Sequence, residues 1–175
     1  MNIYLHEIES YKYELNRLKK EEQTPFNKKD NLTHLGLARS NRYSYMLVGL
    51  CSLVEALLYE IAEKGEKNNV FKISDIKGNG INKLKTYIVK TLGIDFGKIN
   101  NWEEFTHIYK IRNVIIHSYG GLFENYQLNE IKKSLKILGI QNSLFSEKRI
   151  RLTNENLTKI LHIIKNIIYN LEDFL

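Results

Sequence analysis

Between Arg112 and Gly121 the chain reads RNVIIHSYGG, an apolar helical run interrupted by Arg112, Asn113 and His117 and followed by Ser118, Tyr119 and two glycines. Histidine titrates near neutral pH and can move a proton, whereas arginine stays charged and grips phosphate oxygens through its planar fork. That pair suits phosphodiester cleavage. A base takes the proton of an RNA 2'-hydroxyl, an acid protonates the leaving 5'-oxygen, and a cation stabilises the charge that grows on the phosphorane. This chemistry requires no metal and no cofactor, and no residue set looks built to hold a metal. Cys51 is the only cysteine, and His6, His34, His107 and His162 have no partner at metal-binding spacing. Arginine and histidine near a helix end also occur as a solvated charge and a satisfied polar residue. Spacing alone leaves both readings open.

The element that must position these residues is a helix. Phe105, Ile108, Ile111 and Ile115 recur at three- and four-residue steps and fix one face toward a core. Asn101 followed by Glu104 has the form of a capping box at its start, and Gly120 and Gly121 supply its end. Asn113 and His117 share a face, with Tyr109 one further turn back. Arg112 and His117 are five apart and differ by about 140° around an ideal helix. They can flank one groove if the helix unwinds near Gly120, or if a second copy faces the first across a twofold axis.

The remaining sequence is read as more helices. With 175 residues, 43% hydrophobic and 26% charged, the chain suits a single domain over residues 1–175 with its own core. A first helix is predicted over roughly Ile3 to Glu22, ended by the QTPFN stretch around Pro25. The second runs from about Thr33 to a stop at Gly65, and its Met46–Ala62 segment is apolar nearly all round, which places it at the centre. A shorter helix covers Ile81 to Leu92, and GNG at Gly78–Gly80 reads as a turn. LNEIKKSLKILGI is another short helix, KRIRLT a short extended piece, and Thr153 or Asn154 starts the final helix. The fold class is therefore all-α, an up-and-down bundle of four main helices with short extra helices.

Charge and cysteine usage narrow the setting. A net charge of +6 and an isoelectric point near 9.2 favour an acidic partner, RNA first, or simply serve solubility. The clusters Lys19–Lys20, Lys28–Lys29, Lys132–Lys133–Lys136 and Lys148–Arg149–Arg151 could supply a field for RNA or be solvated faces; their placement around the cleft decides. One buried thiol builds no disulfide, and the charged N-terminal stretch is neither a signal peptide nor a membrane anchor. A cytoplasmic protein without membrane association is expected.

IRNVIIHSYG resembles the signature of HEPN domains, in which an arginine is followed by a polar residue, usually asparagine, and then by histidine after four to six intervening positions. SLVEALLYEIAEK, Ser52 to Lys64, is similar to the glutamate-bearing second core helix of several HEPN groups. The resemblance covers about Met46 to Gly121 and implies a homodimeric, metal-independent endoribonuclease of a toxin, phage-defence or stress setting. It implies that Arg112 holds the phosphate, Asn113 orients the cleft and His117 transfers the proton. Glu55 would hold Arg112 by a charge-assisted hydrogen bond, or pair with another cation of the bundle. Arg112, His117 and Tyr119 also match the spacing of HEPN toxins whose antitoxin modifies that tyrosine. That implies a possible antitoxin or regulatory protein; Tyr119 as an aromatic wall stacking a base is the alternative. Some HEPN proteins keep the fold without cleavage, so a catalytically silent module binding a partner protein or nucleotide is the competing expectation.

Overall fold

The computed structural model describes residues 3–23, 32–67, 69–118, 124–146 and 148–175. Its elements are α1 (Ile3–Gln23), α2 (Leu32–Lys67), α3 (Gly80–Leu92), α4 (Trp102–His117), α5 (Leu128–Ile137), a hairpin of β1 (Leu144–Phe145) with β2 (Arg149–Ile150), and α6 (Asn154–Glu172). The all-α reading holds, with the two-residue strands the one exception among the described residues. The surroundings of Pro25, Lys28–Lys29 and Tyr119–Gly121 lie outside the described residues.

Apolar residues at helical spacing make α2 the hub. Leu47, Leu50, Val54, Leu57, Leu58 and Ile61 are fully buried, and α2 packs against α1, α3, α4 and α6. Its burial is a stripe and not a full circumference, because Tyr45 and Tyr59 on the same helix are exposed. An 18-residue window of this helix has a mean hydropathy of 1.6, so its length and composition would also suit a bilayer. In the structure 44% of that window is buried.

Two predicted helix signals work differently. The second helix runs past Gly65 to Lys67. A Cβ at Gly65 would lie 3.3 Å from Thr91 Oγ1 and 3.4 Å from Leu92, so this glycine admits the end of α3 instead of terminating α2. The capping box at Asn101 does not form. Asn101 takes a left-handed φ of 64°, its side chain does not cap the helix, its Oδ1 accepts from Asn166 Nδ2 at 3.0 Å, and its Nδ2 donates to Glu104 at 3.1 Å. A complete box starts α6, where Thr153 and Asn156 exchange backbone-to-side-chain bonds of 3.1 and 3.3 Å.

The face predicted for α4 is the one buried: Phe105, Ile108 and Ile111 are fully inside, with Ile115 nearly so. This helix also buries His107, whose sequence context suggests a surface or partly buried position and which is 8% exposed. The Ser134 hydroxyl donates its single proton to the Glu130 carbonyl at 3.0 Å. The His107 Nδ1, 3.0 Å from Ser134 Oγ, must therefore carry the hydrogen of that bond. Burial first, then Lys110, holds the His107 pKa below its ordinary 6.5. The unfolded chain thus binds a proton that the folded chain refuses, and stability declines as pH falls below about 6.5. We expect the melting midpoint to drop over that window and the drop to shrink in His107→Gln; an equal drop in the variant would contradict this assignment.

Candidate active site

The site grows from the crossing of α2 and α4. Glu55 sits on α2 with its side chain 26% exposed, facing Arg112 of α4, whose side chain is 17% exposed. Arg112 Nη2 lies 3.5 Å from Glu55 Oε2, an ion pair at the long edge of hydrogen bonding. Arg112 Nη1 donates to Asn113 Oδ1 at 2.9 Å. The guanidinium carbon stands 5.2 Å from the ring centroid of Tyr109, one turn earlier on the same helix. Tyr109 donates its hydroxyl to the other Glu55 oxygen at 2.5 Å. Burial, and next this bond to a carboxylate, push the Tyr109 pKa up to about 12. The fork is therefore held on two edges and one face.

One buried donor nitrogen of the fork is unpaired. Arg112 Nε is buried and has no hydrogen-bond partner among the described residues, although an arginine carries five N–H donors. Cys51, one turn before Glu55 on α2, is buried beside this group; burial raises its thiol pKa, with Arg112 pulling weakly the other way. It is an inert neighbour.

Gly80 completes the floor. It opens α3 at a φ of +60°, which favours glycine, and a Cβ there would stand 2.8 Å from the Tyr109 hydroxyl oxygen. The GNG stretch, read as a turn, thus also lets a backbone approach the Glu55–Tyr109 pair. Tyr109 shares the Asn113–His117 face in the sequence reading, without a part in the site. Its spacing of three before Arg112 is the signal that could have found it, since residues three apart lie over one another on a helix.

His117 stands apart from this cluster. The helix stays regular through His117, with Ser118 N donating to the Val114 carbonyl at 3.0 Å, so no unwinding swings His117 toward Arg112. The imidazole is exposed on the last turn. The structure brings Arg112, Asn113 and Glu55 together with Tyr109, while His117, one turn past Asn113 on α4, lies about 140° around the helix from Arg112. Tyr119 lies outside the described residues. His6, His34 and His162 are exposed, and among the described residues no three His, Cys, Asp or Glu side chains cluster as a metal site. Protein-family models, curated proteins and solved structures yield no match to this chain.

Proposed function

We propose that this chain is a HEPN-like helical bundle acting as a dimeric, metal-independent endoribonuclease in the cytoplasm. The observation that carries the reading is the half-buried Arg112, held by Glu55, Asn113 and Tyr109 little more than one turn before an exposed histidine. A cation fixed in advance stabilises developing phosphorane charge without reorganising at the moment of reaction. Glu55 and Asn113 use two of its donors, and the remaining η hydrogens are what a phosphate oxygen would engage. His117, free of the core, transfers protons at the 2'-oxygen and the 5'-oxygen. The regulatory partner in this reading is an antitoxin-like protein.

The separation of about 140° between Arg112 and His117 on an unbroken helix favours a cleft shared by two copies, in which each copy supplies residues the other cannot bring to the same phosphate. Mixing two inactive variants tests this. Arg112→Ala and His117→Ala should each lack cleavage as separate dimers. Co-refolded, they should regain part of the activity, because the mixed dimer holds one intact arginine and one intact histidine. No recovery, with light scattering reporting mixed dimers, would contradict the shared cleft.

The silent-module reading draws on the same ion pair: with Glu55 on one side and Asn113 on the other, Arg112 also serves as a clamp between α2 and α4. Under that reading Arg112→Ala lowers the melting midpoint and RNA remains uncut by the wild type.

A further inference from the structure

A groove of about 560 Å³ lies between the N-terminal half of α2, the last turn of α4 and the hairpin, and Asn41, Tyr45, Ile116, Arg149 and Arg151 are among its walls. No carboxylate lines it among the described residues. Among the described residues Arg149 Nε is buried without a hydrogen-bond partner, and Arg151 donates to Asn41 Oδ1 at 3.4 Å. Burial, and then Arg149 itself, lower the Arg151 pKa. Two adjacent guanidinium groups without an acid repel each other, and an anion between them would relieve that repulsion. The flanking aromatics are out in solvent: Tyr45 is 76% exposed and Phe145 62%. Phe145 belongs to an adjoining hollow of about 450 Å³ that shares Leu37 and Arg151 with the groove. Its acid, Glu22, accepts from the Tyr43 hydroxyl at 2.6 Å.

Helical geometry connects the groove to the Arg112 cluster. Asn41, Val48 and Glu55 are seven apart and lie on one face of α2, over about 21 Å. Ile116 lies four residues after Arg112 on α4, on the same face. One seam between the two helices therefore runs from Glu55 and Arg112 to Arg149 and Arg151.

We propose that this groove is a binding track for single-stranded RNA, in which Arg149 and Arg151 hold a backbone phosphate and Tyr45 stacks a base. The track rests on the nuclease reading for its direction, since it leads one strand to Arg112 and His117. A second copy of the chain fits the groove less well, because a twofold contact there would face two arginine pairs against each other.

The test is fluorescence anisotropy with a short labelled single-stranded RNA of mixed sequence, on the full chain carrying His117→Ala so that the probe stays whole. Adding Arg149→Ala with Arg151→Ala should raise Kd about tenfold and flatten the log–log salt dependence by about 0.7 for each phosphate no longer neutralised. Adding Tyr45→Ala should raise Kd about fivefold or more and leave the salt slope as it was. This exposed position also keeps the test informative should the arginine variant fail to fold by circular dichroism. Lys133→Ala with Lys136→Ala, exposed on α5, should change Kd little. Unchanged Kd and salt slope in both groove variants would overturn the track, even with a wild-type chain that cuts RNA. Weakened binding in both groove variants, with a wild-type chain that never cuts, would support the track and sink the nuclease reading instead. Loss of dimers with RNA binding intact would assign the groove to a second copy and overturn the proposal.

Discussion

His117→Ala is expected to abolish RNA cleavage, by about 10²–10⁴-fold, while leaving the melting midpoint and the helical circular dichroism close to wild type. The activity loss is the magnitude usually assigned to a general acid or base. The unchanged stability follows from position: the imidazole is exposed on the last turn of α4 and lies outside the packed face of Phe105, Ile108 and Ile111. Rates at saturating RNA separate chemistry from binding, so kcat should fall with KM little changed. Wild-type turnover by this variant would remove His117 from the reaction.

Ile108→Ala should do the reverse, with the largest effect on stability. Ile108 is fully buried on α4, and deleting its side chain leaves a cavity between packed helices. Such changes cost about 2–5 kcal/mol, against a total of about 5–15 kcal/mol for a domain. The urea midpoint should shift down strongly, and activity per folded molecule should persist at low temperature. A shift no larger than that of a surface substitution would mean that α4 is not anchored through this face.

The contrast between these two residues shows what is legible in the sequence. The three- and four-residue recurrence of Phe105, Ile108 and Ile111 exposes the buried face because helix periodicity is local. The link between Glu55 and Arg112 joins residues far apart in the chain and follows from the resemblance of two segments, not from spacing. Tyr109 is visible on the right helix, but its bond to Glu55 depends on the way α2 and α4 cross. Arg149 and Arg151 are legible only as a basic cluster. Their groove exists because a hairpin with Phe145 opposite Arg149 returns the chain to α2, bringing Arg151 to Asn41 across 110 residues. Asn101 misleads for a physical reason: its left-handed backbone and its bond to Asn166 leave no geometry for the box its sequence spells.

The resemblance and the geometry meet in one chemical claim, that the 2'-hydroxyl of RNA is the nucleophile and that side chains alone do the proton work. Product ends test it most directly. Purified protein is incubated with end-labelled RNA in EDTA, beside DNA and an RNA 2'-O-methylated at the cleavage position, and the fragments are resolved and treated to identify their termini. The account predicts cleavage that persists in EDTA, spares both controls, and leaves a 2',3'-cyclic phosphate with a 5'-hydroxyl. Equal cleavage of DNA, or 5'-phosphate products made only when a divalent metal is added, would contradict it.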